Sequence, residues 1–335
     1  MKKRIMVGLL VVTLLMSMGG CSSAVRQEKQ TPPQTKVEAV NLDAGVLRGP
    51  TAISMIKMMD EKPALGEGVK VNYTVEQSPE VLSAKLLSGE MEFATIPTNM
   101  AATLYNKGVP YQLAAMNTWG VMYVVSNGVA INSWADLKGK TIGAVSKGSS
   151  ADVVFKYLLA QNGINPDKDV TLNYNPSPVE LAQLVMAGKT TLAVLPEPWV
   201  SVVQSKEPQI KMVLDLQKEW TRIQGTDTPF AQTCLVVNKT FASQHPQVVQ
   251  AFLDEYAKSI DWVNKNPQPA ADLIKKTDIG IPAVVATAAI PRCNLRYMSS
   301  AAARPAVDKY LAVLLQFSPD TVGGKIPDDK FYYQK

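Results

Sequence analysis

Histidine is almost missing from this chain, since His245 is the only one among 335 residues. It precedes Pro246 at a predicted helix start, a context that gives little support to a serine–histidine–aspartate triad. Histidine and cysteine form no cluster with the spacing of metal ligands, and no G-x-x-x-x-G-K-[ST] phosphate loop occurs. We therefore expect no catalytic residue, no metal and no cofactor, and any ATP hydrolysis would belong to a partner protein.

Long apolar runs are also scarce, and the one that stands out lies at the N-terminus. Three basic residues at positions 2–4 precede an apolar run at 5–18, and two glycines then precede Cys21. The run is too short for a comfortable membrane span and predicts a signal peptide over residues 1–20. A cysteine directly at the cleavage point resembles the lipobox of bacterial lipoproteins, in which the new N-terminal cysteine carries a lipid. The alternative is an ordinary secretion signal followed by an unrelated cysteine.

Strong charge is missing as well once this leader is removed. Cleavage after residue 20 deletes three basic residues and no acidic ones, so the formal net charge falls from +5 to +2. No basic block remains, and we expect no nucleic acid partner. Residues 21–36 are polar and contain a proline pair, which predicts a lipid anchor followed by a flexible tether. These features together predict a cell-membrane lipoprotein that faces the extracytoplasmic side.

Two cysteines remain after lipidation, Cys234 and Cys293. In an exported protein they could form a disulfide, or they could be two buried thiols that pack as small hydrophobic residues. Sequence spacing does not give the distance between their Cα atoms, so both alternatives stay open.

What the chain does contain is an internal repeat with an offset of 99 residues. Residues 46–97 align with residues 145–196 without a gap, and Ser78-Pro79 falls over Ser177-Pro178. Solenoid repeats are about 20–50 residues long, so this longer offset indicates two similar α/β lobes instead. Strand-like and helix-like runs alternate in both copies, which favours parallel strands joined by crossover helices.

The chain after about residue 228 does not repeat. It predicts one strand at 232–237 and long amphipathic helices at 245–265 and 304–317. We assign residues 37–119 plus 230–335 to lobe one and residues 120–229 to lobe two, joined by two crossings. The predicted fold class is therefore α/β, with a central cleft between two lobes.

The repeated turns supply the first candidate binding residues. Ligands of open α/β sheets bind beyond the carboxyl ends of the strands, and both turns pair a cation with glycine and hydroxyl groups at a helix start. Free backbone amides and the helix dipole favour a negative or strongly polar group there. The alternative is a pair of capped turns with no binding role. The candidates at these turns are Arg48, Thr51, Lys147, Ser149 and Ser150.

A second pair of aligned segments ends two buried strands at proline corners. Thr98 and Asn99 follow one corner, and Glu197 and Trp199 follow the other. Glu197 lies between two prolines and suits an amine or an amino-heterocycle, although it could also form a salt bridge to the other lobe or to a transporter. The predicted crossings add candidates that lobe closure would bring onto a ligand, although an aromatic side chain is more often a core residue. They are Asn117, Trp119, Phe230 and Gln232.

Several motifs resemble those of the substrate-binding lipoproteins of ABC importers for nitrate, sulfonate or taurine, and thiamine pyrimidine precursors. They are the lipobox-like Cys21, the DLKGKTIG segment at 136–143, the KGSS turn at 147–150 and the Gly-x-x-x-φ-Ala-x-φ-Pro segments that end at Pro97 and Pro196. The resemblance covers essentially the whole mature chain. It implies a type II periplasmic-binding fold, closure around a ligand and delivery to a permease with its ATPase. By motif position it also implies binding roles for Thr51, Asn99, Trp119, Ser149, Ser150 and Glu197. Three segments, at 47–51, 291–294 and 323–329, look like an orphan branch of this group with no assigned substrate.

These features favour a lipid-anchored binding protein over an enzyme. The polar end of the ligand would meet Arg48 and Lys147, its amino group Glu197, and any planar part Trp119. An amino-sulfonate or an aminopyrimidine fits this mixture better than nitrate. We expect a monomer whose partners are a small-molecule ligand, an ABC permease and its ATPase. The alternative from another class is an enzyme of vitamin-precursor metabolism on the same fold, against which the lipobox and the single histidine argue.

Overall fold

The computed structural model describes residues 39–226, 228–277, 279 and 281–334. The predicted signal peptide, Cys21 and the tether at 21–36 lie outside these residues. The described part contains two β-sheets. Its strands are β1 (Val40–Leu47), β2 (Val69–Glu76), β3 (Phe93–Pro97), β4 (Tyr111–Thr118), β5 (Met122–Ser126), β6 (Thr141–Val145), β7 (Thr171–Asn175), β8 (Leu192–Pro196), β9 (Lys211–Asp215), β10 (Thr233–Asn238) and β11 (Leu295–Ser299).

Helices connect most of these strands and cover the faces of both sheets. They are α1 (Pro50–Glu61), α2 (Pro79–Ser88), α3 (Thr98–Asn106), α4 (Ser150–Gln161), α5 (Pro178–Met186), α6 (Trp199–Lys206), α7 (Leu216–Gln224), α8 (Lys239–Gln244), α9 (Pro246–Lys265), α10 (Pro267–Thr277), α11 (Ala283–Ala289) and α12 (Ser300–Phe317). The helix expected at 304–317 begins earlier, because the Ser299 hydroxyl caps it by accepting a hydrogen bond from the Ala302 amide.

The two sheets share one pattern of strand pairing. The first has the order β11-β4-β10-β3-β1-β2, and the second has the order β7-β6-β8-β5-β9. In each sheet three strands pair in parallel around a central one, β1 in the first sheet and β6 in the second. The next strand, β10 or β5, is antiparallel and arrives after a crossing from the other sheet. We call the parts of the chain built on the six-stranded and the five-stranded sheet the first and second lobe.

The elements of the two lobes also match along the sequence. At an offset of 99 residues β3 at 93–97 falls directly on β8 at 192–196, and both α2 and α5 begin with proline behind a serine N-cap. The Ser78 and Ser177 hydroxyls accept hydrogen bonds from the amides of Val81 and Glu180. A serine cap followed by a first-turn proline is a strong local signal for a helix start, which is why the repeat could be read from sequence.

The lobes pack directly on each other along one side. Helix α12 of the first lobe lies on α4 of the second, with the ring centroids of Tyr157 and Phe317 5.5 Å apart and those of Trp220 and Tyr310 5.9 Å apart. Tyr157, Trp220 and Tyr310 belong to one continuous apolar cluster drawn from both lobes. On another side α11 packs against α6. The cleft lies between these contacts.

Candidate functional site

A cavity of about 700 Å³ lies between the two lobes. Its walls are the turns after β1 and β2 in the first lobe and the turns after β7 and β8 in the second. Residues of both crossings, among them Val121 and Gln232, complete the lining. This position beyond the carboxyl ends of parallel strands is where open α/β sheets bind ligands.

The N-terminus of α1 forms one wall. Gly49 has φ +105°, a left-handed value that favours glycine, and it turns the chain from β1 into Pro50 at the first helical position. The Thr51 hydroxyl donates to the Leu47 carbonyl at 2.6 Å. The side chain of Arg48 is exposed on this wall. The first amides of a helix lack intrahelical acceptors, so this wall presents hydrogen-bond donors and positive charge.

Three further helices begin at the cavity. Pro79 of α2 and Pro178 of α5 line it from opposite lobes, and Trp199 opens α6. Since each helix N-terminus carries a partial positive charge, these starts add to the positive potential of Arg48. The arrangement therefore favours an anionic or strongly polar ligand group.

Glu197 supplies a negative charge on the opposite wall, but this charge is already paired. Its carboxylate is buried, with 1% of the residue exposed, and Oε1 accepts a hydrogen bond from the Nε of Arg292 in the first lobe. Oε2 accepts from the Ser201 amide at 3.1 Å, and Arg292 Nη2 donates to the Ser201 hydroxyl at 2.5 Å. The sequence left three partners open for Glu197, namely a ligand amine, the other lobe and a transporter, and the structure contains the salt bridge to the other lobe.

Thr118 and Thr233, which we call the floor, also line the cavity. Both hydroxyls donate to Oδ1 of the buried Asn117, Thr118 at 2.9 Å. Asn117 Nδ2 is buried without a hydrogen-bond partner among the described residues. Beside them, Gln232 Oε1 accepts from the Val121 amide at 2.9 Å and so fixes the start of the second lobe.

Five of the thirteen residues predicted from sequence to bind the ligand therefore line this cavity: Arg48, Thr51, Glu197, Trp199 and Gln232. Asn117 lies behind the floor. The structure does not bring Thr98, Asn99, Trp119, Lys147, Ser149, Ser150 and Phe230 to the cavity lining.

The two aromatic candidates at the crossings, and Thr98, pack against other residues of the protein. The Trp119 indole donates to the Arg296 carbonyl at 2.8 Å, and the Arg296 guanidinium lies 4.7 Å from the indole centroid. Phe230 is buried and stacks on Trp220 at 5.4 Å. The buried hydroxyl of Thr98 points to the sulfur of Met116 at 3.9 Å. The three side chains therefore contact other parts of the protein and do not need a ligand to be packed.

The turn at 147–150 matches the turn at 48–51 in sequence but faces another part of the surface. Ser149 caps α4 by accepting from the Asp152 amide at 3.3 Å, and Lys147 Nζ lies 6.0 Å from the Tyr174 ring centroid. Gly148 lines a separate groove together with Asn99, whose Nδ2 donates to the Thr321 carbonyl at 3.1 Å. The non-repeated α12 and the turn after it cover this side, so the repeat does not produce a symmetric site.

The cavity lining also includes residues that are not among the ligand contacts predicted from the sequence. The polar ones lie at strand ends and are Gln77, Thr118, Ser177 and Thr233, and the apolar ones include Val179 and Ile281. A signal for two of them was present, because Ser177 belongs to the repeated Ser-Pro pair and Gln77 directly precedes the other copy. For Ile281 the sequence carries no comparable signal.

The two cysteines are free thiols, and both are fully buried. Cys234 belongs to the apolar cluster on one face of the first sheet, and Cys293 belongs to the cluster on the other face. The sheet therefore separates the two sulfur atoms, and the buried-thiol alternative describes this structure. Burial raises the pKa of the Cys234 thiol to about 12.

Residues 35–276, more than half of the chain, match the model of the NMT1-like family. The chain belongs to the NMT1-like family. An ABC transporter structure from Parabacteroides distasonis is 28% identical to this NMT1-like chain, with a TM-score of 0.78 over 89% of this chain and 100% of the other. The nitrate/nitrite binding protein NrtA of Nostoc sp. is 26% identical over 50% of this chain and 40% of its own. The periplasmic aliphatic sulphonate binding protein SsuA of Escherichia coli is 16% identical, with a TM-score of 0.68 over 89% of this chain and 95% of the other.

These similarities confirm the two-lobe periplasmic-binding fold and the resemblance to nitrate and sulfonate binding proteins. They also confirm that this NMT1-like chain is a binding protein of the ABC transport class and not an enzyme, so the alternative of a vitamin-precursor enzyme is not supported. Within the described residues no helix is long and apolar enough to cross a membrane. In that same part of the chain no cluster of three metal-binding side chains occurs.

Proposed function

We propose that the protein is a lipid-anchored, extracytoplasmic solute-binding protein that captures one small polar ligand between its lobes. It delivers this ligand to an ABC permease with its ATPase, and it acts as a monomer held at the membrane by a lipid on Cys21. The observation that carries the ligand-binding part is the wall formed by Arg48 and the N-terminus of α1 in a cavity of about 700 Å³. Such a wall favours a negatively charged group.

The ligand classes that we propose are sulfonates, including amino-sulfonates, and aminopyrimidines. Nitrate and sulphonates, after which two of the relatives are named as binding proteins, are anions, and this supports a ligand whose anionic group contacts Arg48. Gln77 offers an amide group, and Thr118 and Thr233, whose hydroxyl protons go to Asn117, offer hydrogen-bond acceptors. Trp199 offers an aromatic surface at the α6 start for a planar ligand.

Ligand binding is tested with purified residues 22–335. Intrinsic tryptophan fluorescence and thermal melting are recorded with ethanesulfonate, taurine, nitrate and 4-aminopyrimidine. We expect one class to raise the melting temperature and to change the fluorescence, because Trp199 lies in the cavity wall. The Trp199→Phe variant is the matched control, since it should lose most of the fluorescence change. No stabilisation by any of these compounds would remove the proposed ligand classes.

The lipid anchor is tested separately on the full chain expressed in a bacterium. Metabolic labelling with a palmitate analogue should mark the wild-type protein and not the Cys21→Ala variant. The wild type should sediment with membranes and the variant should not. A soluble, unlabelled wild type contradicts the anchor while leaving the ligand proposal intact.

A further inference from the structure

The segment at 291–294 is one of the stretches that the family motifs do not explain. It follows α11, and its 3₁₀ turn at Ile290–Cys293 leads into β11 of the first sheet. In sequence it belongs to the first lobe, but its hydrogen bonds reach the second. It therefore adds a contact between the two lobes beside the first crossing.

The backbone of this segment is fixed by the second lobe and by the first crossing. The Tyr123 hydroxyl of β5 donates to the Arg292 carbonyl at 3.1 Å. Asn294 Nδ2 donates to the Gly120 carbonyl at 2.7 Å, and the Asn294 carbonyl accepts from the Trp119 amide at 3.2 Å. These bonds hold Arg292 in place independently of any ligand.

The side chain of Arg292 completes the hydrogen bonding of the Glu197 carboxylate. Its Nε donates to Glu197 Oε1 and its Nη2 to the Ser201 hydroxyl, while the Ser201 amide occupies Oε2. The Glu197 side chain is 0% exposed and that of Arg292 is 31% exposed. A buried carboxylate needs an opposite charge, and here a residue of the other lobe supplies it.

This pairing decides which charge the cavity offers to a ligand. Arg48 and Glu197 are the charged side chains among the described residues of the lining. If Glu197 were free, it would be a ready partner for a ligand ammonium group. Since Arg292 already neutralises it, the positive charge of Arg48 is left without a counterion in the cavity wall.

We propose that Arg292 is a specificity-determining residue. From the opposite lobe it forms an ion pair with the Glu197 carboxylate. The cavity therefore binds a ligand that carries only an anionic group more tightly than the same ligand with an added ammonium group. This inference rests on the proposed function, of which it narrows the ligand class. It gives Glu197 a role in the contact between the two lobes and not in binding a ligand amine.

Two matched probes test this, because ethanesulfonate and taurine differ by one ammonium group. Affinities are measured by calorimetry on the full chain purified in mild detergent. We expect the wild type to bind ethanesulfonate at least tenfold more tightly than taurine. In Arg292→Gln this preference should fall by tenfold or reverse, because the freed carboxylate attracts the ammonium group. The double variant Glu197→Gln with Arg292→Gln is the matched control and should show no gain for taurine.

The single variant Glu197→Gln tests the same point without leaving a buried carboxylate unpaired, so it serves if Arg292→Gln does not fold. We expect it to change the ratio of the two affinities less than threefold. A selective tenfold loss of taurine binding would show that Glu197 holds the amine and would overturn the proposal. An unchanged ratio in a folded Arg292→Gln would overturn it as well.

A third measurement needs no sulfonate and separates this inference from the proposed function. The melting temperature of Arg292→Ala is compared in ethylammonium chloride and in sodium chloride of equal concentration. We expect ethylammonium to stabilise this variant, and not the wild type or the double variant, by entering the space beside Glu197. Absence of this rescue contradicts the role of Arg292. Rescue without any sulfonate binding to the wild type removes the sulfonate proposal and leaves the role of Arg292 standing.

Discussion

The Tyr256 hydroxyl donates a hydrogen bond of 2.6 Å to Ser54 Oγ, because the single Ser54 proton is already given to the Thr51 carbonyl. Both side chains are fully buried. The bond joins α9 to the first turns of α1, and Ser259 adds a second bond from α9 to the Ser54 carbonyl at 2.8 Å. The position of the α1 N-terminus at the cavity therefore depends on a polar contact below the surface.

Replacing Tyr256 with phenylalanine should lower the free energy of unfolding by about 1–2 kcal/mol, since a buried hydrogen bond is lost. Urea denaturation followed by circular dichroism measures the change. Tyr297→Phe is the control, because the Tyr297 hydroxyl makes no hydrogen bond to a described residue although its ring contacts Tyr256 at a centroid distance of 6.4 Å. Equal losses in the two variants would show that the bond contributes nothing specific.

Arg48→Gln should weaken ethanesulfonate binding by about tenfold or more, because hydrogen bonds to charged groups contribute about 1.5–3 kcal/mol. The side chain is exposed, so the melting temperature without ligand should stay near that of the wild type. Lys147→Gln is the control, since it makes the same change in charge at the aligned turn outside the cavity lining. Titration calorimetry measures both. An equal loss at Lys147 would place the anion somewhere other than this cavity.

Gly120→Ala should destabilise the protein by about 1–3 kcal/mol more than Gly148→Ala, because only the first change also creates an overlap. Both glycines have positive φ, +81° and +79°, so both variants carry similar backbone strain. A Cβ at Gly120 would contact Gln217 and lie 2.8 Å from Phe230 Cδ1, whereas a Cβ at Gly148 meets nothing within 4 Å. Chemical denaturation of the two variants under identical conditions gives the difference. Similar losses would mean that the first crossing relaxes freely.

The two thiols should react with a disulfide reagent only after unfolding. Burial raises the pKa of Cys234 to about 12 and that of Cys293 well above its usual range, so almost no thiolate exists in the folded protein at pH 8. Residues 22–335 should therefore show no reactive thiol when native and two in guanidinium chloride, without any reducing agent. A protein that shows none in guanidinium until it is reduced would contain the disulfide.

The sequence predicted the lobes better than the site, and the reason is physical. Helix starts such as Ser177-Pro178 and the strand ends at Pro97 and Pro196 depend on local backbone chemistry, so they repeat visibly and fix the two α/β layers. The side of the cleft that each turn faces depends instead on distant packing. The turn at 147–150 has the residues of a binding turn, but it faces a groove bordered by the non-repeated C-terminal part.

The pairing of Glu197 shows the same limit for charge. Sequence indicated a carboxylate held between two prolines and left open whether it meets a ligand or the other lobe. Its partner Arg292 lies 95 positions away in sequence, in a segment without a counterpart in the repeat, so no local pattern connects the two. The lobe boundaries, the monomeric state and the anchor on Cys21 stay predictions.

The strand exchange between the sheets also limits the order in which the two sheets can be completed. Strands β5 to β9 of the second sheet are continuous in sequence, from residue 122 to residue 215, and need no later part of the chain to pair. In the first sheet β4 bonds to β10 and β11, so it cannot join β1 to β3 until residues 233–238 have been made. When the chain emerges N-terminus first, all strands of the second sheet are therefore present before those of the first. The first lobe, although it contains β1, is the one that can be completed last.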